Sequence, residues 1–600
     1  MKKARTFFSI LVILSIFLSG LSMAGCTAET DVTEELTLIY DLNYENAPRK
    51  ELQVKLGIAV KNWTPSRKGY SFVNWFTDPG CDVAYDFSEL MEEDTTLYAG
   101  WKDNQSQCVV SIDLNYEGAE EAASVLVDKN QRIDVSAFPE SPRLGMEISG
   151  WYLDAECTQT WNADSDIVTE DITLYADYTW DDSVPRDSNG NIVFENVVVD
   201  LWTINVGTEY MEALAGKFNS RYSGKITVNV TTNLSDQKKF AMRMQQISEL
   251  NRTIEDQYYT IDDVYNFAGI SYSHDDWFEN AMRDSYCNDK LYSVPLMMGV
   301  PFIVYNESLM NTYNGASSMP DSFSQFQELL TKANAAESEK NPEFDSITSA
   351  GDWSFKEATS YAAFVQNGAD YYIEQNGEYV NTWDDNGSAN AGRASLAMSN
   401  LYELFGVGGS CGGRLRGSEG TNEETIALVS EGKAFMGLVN SWGGAVGTAA
   451  KTDNVGILPL SGLFSDDSAY KDLIPVHTIG FQFYKAEDVS PLQIAAAAVF
   501  ADFVSKNSES FGNGGCYPMR KDVAESTAFR NSANASTRAL LQAGDPENFY
   551  TMAGSTQEKQ IFNKIAAEDH LVPFLQSADS SLLDFYLFSL KYSIMAQLLS

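Results

Sequence analysis

The residues able to do acid–base, nucleophilic or metal chemistry are sparse and scattered in this 600-residue chain. Its three histidines, His274, His477 and His570, lie far apart in the sequence, which disfavours a zinc site or a serine–histidine pair. None of the seven cysteines forms a Cys-x-x-Cys pair, so the spacing typical of metal and thioredoxin-type sites is absent. We therefore expect no metal site and no cofactor.

One pentapeptide formally fits a nucleophile motif. The residues at 408–412, Gly-Gly-Ser-Cys-Gly, match Gly-x-Ser-x-Gly, a motif that requires a strand, a sharp turn and then a helix. The preceding residues 394–404 have a helical pattern instead, so the context disfavours a serine hydrolase. With 84 acidic residues, chance carboxylate pairs are inevitable, and no run of residues specifically supports glycoside hydrolysis. We predict that the chain is not an enzyme and assign no catalytic residue.

The charge balance disfavours polyanionic partners. The chain has 41 basic and 84 acidic residues, a formal net charge of −43. Such a protein repels nucleic acid and anionic lipid, and we expect neither as a partner. Because 44% of the residues are hydrophobic and 12% aromatic, the chain can form globular cores. Its length corresponds to about three to five domains.

The first residues predict export. Three basic residues within the first five positions precede an apolar run at 7–18, which is short for a bilayer span of about 20 residues and typical of a signal peptide. Leu-Ser-Met-Ala-Gly-Cys at 21–26 resembles the lipobox of bacterial lipoproteins, with Met where Leu is usual. The resemblance implies that residues 1–25 are removed and that Cys26 carries a lipid. The protein would then sit on the extracellular face of the bacterial cytoplasmic membrane, held only by that lipid.

Two copies of one module follow. Asp-Leu-Asn-Tyr-Glu at 41–45 recurs at 113–117, and Thr-Leu-Tyr-Ala at 96–99 recurs at 173–176. Between these segments, each copy has a glycine followed six residues later by Trp and a second aromatic residue. Alternating apolar residues at the start of each copy predict half-buried strands.

We place the copies at 36–103 and 108–180 and expect two small β-rich units. They resemble the B-repeats of internalin-type surface proteins, which implies a β-grasp-like fold. The recurring aromatic residues are better explained as the core of each small unit than as a sugar-stacking surface. The repeats would then serve as a stalk or a docking surface.

An α/β region follows the repeats. The polar segment 181–191 is predicted to be a linker. In residues 192–600 the sequence pattern predicts alternating strands and helices. An apolar strand at 197–202, a helix ending before Gly224 and a strand at 225–230 form a predicted βαβ unit. The helix has apolar residues on one face, namely Met211, Leu214, Ala215, Phe218 and Tyr222.

Five segments of this region, in order, resemble the extracellular solute-binding proteins of ABC importers, of the carbohydrate-receptor type. They are Lys-Leu-Tyr-Ser-Val-Pro with Tyr-Asn-Glu-Ser-Leu at 290–309, Gly-Lys-Ala-Phe-Met to Ser-Trp at 432–442, Val-Gly-Ile-Leu-Pro-Leu at 455–460, the helix at 491–504, and Cys-Tyr-Pro-Met-Arg at 516–520. Asp289 and Asn440 depart from the family pattern, where glycine is usual, so the substrate cannot be transferred from the family.

The resemblance implies a multidomain protein in which the two repeats precede a two-lobed α/β domain of the periplasmic-binding, or Venus-flytrap, type. Lobe closure would capture a small solute, which the resemblance implies is a mono- or oligosaccharide. The protein would then deliver it to an ABC permease. We expect a monomer. The alternative is a surface adhesin or sensor in which this domain has no transport duty.

Sugar recognition needs aromatic planes and polar groups together. The matched motif places a cleft aromatic residue at Trp442, beside two polar neighbours. Other candidates follow the first strand, where the carboxyl ends of parallel strands open into a crevice. The complete set of predicted ligand-binding residues is Trp442, Asn440, Ser441, Trp202, Asn205, Glu209, Trp353 and His477.

Replacing Cys26 with serine tests the predicted lipid anchor. Because serine cannot form the thioether, Cys26→Ser should shift the protein from the membrane fraction to the medium or leave an unprocessed precursor. Fractionation with metabolic fatty-acid labelling measures both effects, with Cys81→Ser as the control. Unchanged membrane retention of a processed, unlabelled protein would contradict the anchor.

Overall fold

The computed structural model describes the chain from Glu35 to Leu598 with gaps. The described residues are 35–45, 47, 49–55, 63–67, 69–87, 91, 93–103, 107–116, 119, 123–134, 138–233, 240–246, 257–287, 290–349, 359–371, 373–375, 378–381, 383, 392–415, 420–486, 488–551, 569–577 and 579–598. The predicted signal peptide, Cys26 and Trp353 lie outside them.

The chain divides into two compact units. The first comprises 1–138 with 151–175, and the second comprises 139–150 with 176–600. Both predicted repeats contribute to the first unit, and the predicted α/β region forms most of the second.

The first repeat is a four-stranded sheet of order β2-β1-β4-β3. Its strands are β1 (Glu35–Asp41), β2 (Arg49–Lys55), β3 (Tyr70–Phe76) and β4 (Thr95–Asp103). Strand β1 pairs antiparallel with β2 and parallel with β4. Alternate residues face the core, so the aromatic residues Tyr40 and Trp75 are almost completely buried. The predicted role of the recurring aromatics as core is confirmed for these two.

The second repeat has the same arrangement with one added short strand, in the order β6-β5-β9-β7-β8. Its strands are β5 (Gln107–Asp113), β6 (Ala123–Asp128), β7 (Met146–Tyr152), β8 (Thr160–Trp161) and β9 (Ile172–Trp180). Even the unusual backbone recurs, because Asn43 and Asn115, and Cys81 and Cys157, all have positive φ. The prediction of two copies of one β-rich module is confirmed.

The second unit contains seventeen strands among the described residues. In chain order they are β10 (Val197–Thr203), β11 (Ile226–Thr231), β12 (Met242–Gln246), β13 (Tyr286–Cys287), β14 (Lys290–Leu291), β15 (Val294–Gly299), β16 (Pro301–Asn306), β17 (Asp345–Ser349), β18 (Ile373–Gln375), β19 (Glu378–Val380), β20 (Arg414–Leu415), β21 (Ala434–Asn440), β22 (Val455–Pro459), β23 (Ile474–Pro475), β24 (His477–Phe483), β25 (Tyr517–Pro518) and β26 (Phe549–Tyr550).

The α-helices of this unit surround the sheets. Those in the described residues are α1 (Thr208–Arg221), α2 (Ile261–Ala268), α3 (Glu307–Tyr313), α4 (Phe323–Glu337), α5 (Ser360–Gln366), α6 (Arg393–Phe405), α7 (Asn422–Ser430), α8 (Ala445–Ala449), α9 (Pro491–Ser505), α10 (Lys521–Ala524), α11 (Thr527–Arg530), α12 (Ala535–Ala543), α13 (Val572–Gln576) and α14 (Leu583–Leu598). Helix α9 begins with a capping box at Ser490 and proline at its first turn, as its sequence predicts.

Two mixed sheets define two lobes. The first-lobe sheet has the order β11-β10-β12-β24-β15-β25, and the second-lobe sheet has the order β20-β17-β21-β16-β22. Strands β10 and β11 pair in parallel on either side of α1, so the predicted βαβ unit is confirmed. The chain passes from the first sheet to the second between β15 and β16, and back between β22 and β24.

The segment predicted as a linker, 181–191, is built into the second unit. The Arg186 guanidinium lies 3.4 Å from the ring centroid of Trp180, and the Asp187 carboxylate accepts hydrogen bonds from the backbone of Asn189 and Asn191. Val184 is 4% exposed in an apolar cluster with Phe267, Ala495, Leu144, Ile192 and Phe194. The linker prediction was wrong here because a polar, proline-containing sequence also suits a compact turn held by Asp187.

Val184 gives a test of this packing. Val184→Asp would bury an unpaired carboxylate and should destabilise the second unit by about 2 kcal/mol or more. Hydrogen exchange of helix α9, which contributes Ala495 to the cluster, measures the loss. Val407→Asp is the matched control, because Val407 is 70% exposed and the change should stay within about 0.5 kcal/mol. Equal exchange in both variants would show that 181–191 is a free linker after all.

Candidate functional site

The crossing between the lobes is held by one serine. Only Val300 separates β15 from β16, and its backbone amide donates to the Ser441 hydroxyl at 2.9 Å. In return the Ser441 amide donates to the Val300 carbonyl at 3.0 Å. Ser441 directly follows β21 of the second lobe, so this pair of bonds fixes the crossing against the end of that strand.

The neighbouring Trp442 packs against the same crossing. Its indole lies so close to Gly299, the last residue of β15, that a Cβ at this position would overlap the ring. Glycine at 299 is therefore required by close approach rather than by its backbone angles. The half-buried indole of Trp442 is placed where β15 of the first lobe and β21 of the second lobe meet.

Two hydrogen-bond donors at this junction have no acceptor among the described residues. They are the indole Nε1 of Trp442 and the side-chain Nδ2 of Asn440. The other side-chain atom of Asn440, Oδ1, accepts from the Trp442 amide at 3.2 Å, which fixes the orientation of the group. A buried donor without an acceptor costs about 1–3 kcal/mol, and both of these atoms are shielded from solvent.

A cavity of about 420 Å³ adjoins the junction. Its first-lobe wall is the turn between β10 and α1, which carries Asn205, Thr208 and Glu209. Gly207 in this turn has φ +69° and lies against the Phe511 ring, so a side chain there would be strained and crowded. The second-lobe wall is Gly443 and Gly444, next to Trp442, and the remaining lining residues are Val206, Gly207, Tyr210, Asn513 and Gly514.

The cavity wall also carries a hydrogen-bond acceptor, the Glu209 carboxylate. Glu209 stands in the first turn of α1, where a carboxylate interacts favourably with the helix N-terminus. Burial and the Glu209 carboxylate raise the pKa of Tyr210 to about 12, so this phenol stays protonated and remains a donor. The Asn513 side-chain oxygen accepts from the Thr537 hydroxyl at 3.2 Å, which orients that amide.

The other predicted residues fall in different places. Trp202 is buried beside the cavity turn without lining the cavity, and its indole N–H has no acceptor among the described residues. His477 begins β24 and pairs in register with Gly299, so it lies at the same junction as Trp442. Ser441 is fully buried and its hydroxyl accepts from the Val300 amide, so in this structure it satisfies the backbone of the crossing, and its contact with a ligand stays a prediction.

Sequence reasoning missed several lining residues. The glycines at 443, 444 and 514 have no side chain that would single them out, and the sequence context of Asn513 is not distinctive. The only available signal was their placement after matched family segments, since glycine pairs leave room where a ligand or another backbone approaches.

A partly buried ionic cluster lies near the return crossing. The Arg283 guanidinium faces the Asp370 carboxylate at 3.9 Å and donates to the Thr551 carbonyl at 3.1 Å. The same carboxylate accepts from the hydroxyls of Tyr361 at 2.8 Å and Tyr550 at 2.7 Å. Burial and the nearby Asp370 raise the pKa of Tyr361, so it remains a donor. The cluster joins chain segments that surround the return crossing at β23 and β26.

Ser410, Cys411 and Cys516 could act as nucleophiles, but their surroundings differ from those of catalytic residues. Ser410 follows helix α6 and its hydroxyl donates to the Glu403 carboxylate at 2.6 Å, so the context of Gly-x-Ser-x-Gly is not a nucleophile elbow. Burial raises the pKa of Cys411 to about 11 and of Cys516 to about 12, which disfavours their reactive thiolates. In the described part of the chain, no group of three or more His, Cys, Asp or Glu side chains is arranged to hold a metal ion.

The N-terminal modules match a known repeat family. Residues 37–100 and 113–177 each match the Listeria-Bacteroides repeat domain. Two curated proteins of Evansella cellulosilytica, provisionally named a membrane protein and a Gly-rich membrane protein, are 30% identical over 160 residues and 31% identical over 128 residues. These matches cover 25% and 21% of this chain but only 23% and 14% of the relatives, so the chain spans less than a quarter of their length. Within the described residues we find no helix with the length and apolar character needed to cross a bilayer.

Solved structures match the two-lobed unit. The cyclic alpha-maltosyl-1,6-maltose binding protein of Arthrobacter globiformis has a TM-score of 0.51 at 12% identity, covering 67% of this chain and 99% of that one. UgpB of Mycobacterium tuberculosis, in complex with glycerophosphocholine, and the sugar-binding protein MalE of Xanthomonas citri each have a TM-score of 0.50 at 14% identity, covering 67% of this chain and 98% of theirs. Two segments that match the Listeria-Bacteroides repeat are thus followed by a two-lobed domain that shares the fold of these binding proteins.

Gly299 tests the placement of Trp442. Gly299→Ala must displace the indole and should destabilise the second unit by about 1–3 kcal/mol while changing the tryptophan emission spectrum. Thermal unfolding and fluorescence measure the two effects. Gly216→Ala in α1 is the control: no atom lies within 4 Å of its added Cβ, and it should be neutral or stabilising by about 0.5–1 kcal/mol. An unaltered spectrum in Gly299→Ala would contradict the close contact.

Proposed function

We propose that this protein captures a carbohydrate between its two lobes and passes it to an ABC permease. The observation that carries the proposal is a cavity of about 420 Å³ lined by Asn205 and Glu209 of one lobe and by Gly443 and Gly444 of the other, next in sequence to Trp442. Cavities of about 300–1,000 Å³ with a few placed polar groups are typical of small-molecule sites.

The chemistry of the site suits a sugar. Hydroxyl groups both donate and accept, so one sugar can supply acceptors to Trp442 and Asn440 and donors to the Glu209 carboxylate. The indole of Trp442 also offers an apolar plane for the C–H face of a sugar ring. Fold similarity to sugar-binding proteins supports this class, although one structural neighbour holds glycerophosphocholine.

The site lies where closure can act on it. Its walls come from the β10–α1 turn of the first lobe and the 442–444 segment of the second. A ligand that touches both walls favours the closed arrangement only by the extra affinity it gains there. Ser441 binds the backbone of Val300 at the crossing and directly precedes the 442–444 segment. One residue therefore restrains both the crossing and the second-lobe wall of the cavity.

Ligand binding by the purified full chain tests the proposal. Titration calorimetry with maltose, cyclic maltosyl-maltose and glycerophosphocholine should detect one or both sugars and not the phosphodiester. A ligand at 100 times its dissociation constant adds about 2.7 kcal/mol to the stability of the second unit. Trp442→Ala should weaken sugar binding at least about tenfold, because a stacked ring and a hydrogen bond are lost together.

Trp161→Ala in the second repeat is the matched control and should leave affinity unchanged. Binding of glycerophosphocholine alone would keep a solute receptor but reject the carbohydrate class. Failure of all three ligands in a folded protein would count against the proposal.

The transport role needs a separate measurement. We propose that the mature chain is lipid-anchored at Cys26 outside the cytoplasmic membrane and works as a monomer with a permease. Deletion of the gene should abolish uptake of the bound sugar. If uptake continues while purified protein still binds the sugar, the adhesin or sensor alternative is favoured.

A further inference from the structure

One short stretch of the first repeat reverses the charge of the chain. From the start of β2 to the residue before β3, residues 49–69, the sequence has six basic residues and one acidic residue. The equivalent stretch of the second repeat, residues 123–145, has three of each. The excess is therefore local to the first repeat and is not imposed by the fold that the two copies share.

Two of these cations lie on aromatic rings, and neither has a carboxylate partner in the part of the chain that the structure describes. The Arg67 guanidinium lies 3.7 Å from the ring centroid of Tyr70 and 4.4 Å from that of Tyr44. The Lys50 ammonium lies 4.6 Å from the ring centroid of Trp63. No carboxylate of the described residues lies within ion-pair distance of either cation, although acidic residues outnumber basic ones two to one in the chain.

This arrangement leaves the cations able to bind an anion. A guanidinium stacked face-on against a ring keeps its N–H edge for a phosphate or carboxylate, and stacking removes much of the entropy cost of fixing it. Arg49 differs, because its Nη2 and Nε both donate to Asp41 at 2.9 Å and so are already paired. Among the cations of this stretch whose side chains the structure describes, Lys50 and Arg67 are thus the two that rest on aromatic rings and are not engaged by a carboxylate.

The two cations stand at opposite ends of one aromatic layer. Successive ring contacts of 5.4–5.9 Å run from Trp63 through Trp75 and Phe72 to Trp101, whose ring lies 5.8 Å from Arg67. The separation favours an extended ligand with repeated charges over a single small anion. The strand that carries Lys50, β2, is also at the edge of its sheet and thus accessible along its length.

We propose that the first repeat binds a linear anionic polymer with a sugar or polyol backbone, through Lys50 and Arg67. The half-buried rings of Trp63 and Tyr70 would contact the uncharged backbone between its anionic groups. The acidity of the whole chain does not prevent this, because charges beyond about 8 Å are largely screened at physiological ionic strength. A wide, stiff polyanion such as duplex DNA would reach the surrounding acids and is disfavoured.

Binding of defined polymers to the purified full chain, kept in neutral detergent, tests the proposal. The probes are poly(glycerol phosphate), polygalacturonate, neutral dextran and duplex DNA. We expect one or both of the first two to bind and the affinity to fall as salt rises. Phosphate-only or carboxylate-only binding would identify the anionic group, and either supports the proposal.

Lys50→Gln with Arg67→Gln should weaken this binding about 30-fold. Lys129→Gln with Arg132→Gln, which removes two exposed cations from the second repeat, is the matched control and should not change it. Lys50→Arg with Arg67→Lys retains charge and should retain most of the affinity, which separates a charge effect from a folding defect. Absence of binding, equal loss in both neutralised variants, or tighter binding of DNA would overturn the proposal.

Discussion

The architecture of the second unit depends on the polar backbone of Val300, where the chain leaves one sheet for the other. A peptide at such a crossing belongs to neither ladder, so its N–H and C=O need partners or cost about 1–3 kcal/mol each. Ser441 supplies both, through its hydroxyl and its amide. Because Ser441 ends β21, the interaction that satisfies the crossing also fixes the strand end that carries Asn440 and Trp442. One residue therefore both satisfies the backbone of the crossing and precedes the segment that forms the cleft wall.

The cleft is assembled from segments that the fold brings together from distant positions. The β10–α1 turn supplies Glu209 and Asn205, while Gly443 and Asn513 come from segments more than 200 residues further along. Asn205 and Gly443 each follow the end of a strand, β10 in the first-lobe sheet and β21 in the second-lobe sheet, whereas Asn513 belongs to a short helical segment after α9. The Arg283–Asp370 cluster is likewise assembled from remote segments, because Tyr550 and Arg283 meet Asp370 from positions far from it in the sequence.

What could be predicted from the sequence was local or periodic. The βαβ unit, helix α9 and the two repeats are each visible in spacing over tens of residues, and Asn205 and Glu209 follow from the strand-end rule. The role of Ser441 could not be predicted, because a serine beside a cleft tryptophan has the same sequence pattern whether it faces a ligand or a backbone amide 141 residues away. Segment 181–191 was misjudged for a related reason: Val184 is one apolar residue in a polar run, and its burial depends on Phe267 and Ala495, which are remote in sequence.

Comparison of the two repeats distinguishes residues that their shared fold requires from surface residues that can vary. Both copies keep the buried residues of their sheets and the positive-φ Asn and Cys positions, since each small module needs them to fold. Surface charge is under no such constraint, and there the copies differ: Lys50, opposite Tyr40 in the first ladder, is replaced by Ala123, opposite Ile112, in the second. The excess of basic residues in 49–69 is thus a feature of one copy only, within a chain of net charge −43. The net charge of the chain influences an approaching ligand only over distances that salt does not screen. At contact, recognition depends on the few side chains that touch the ligand.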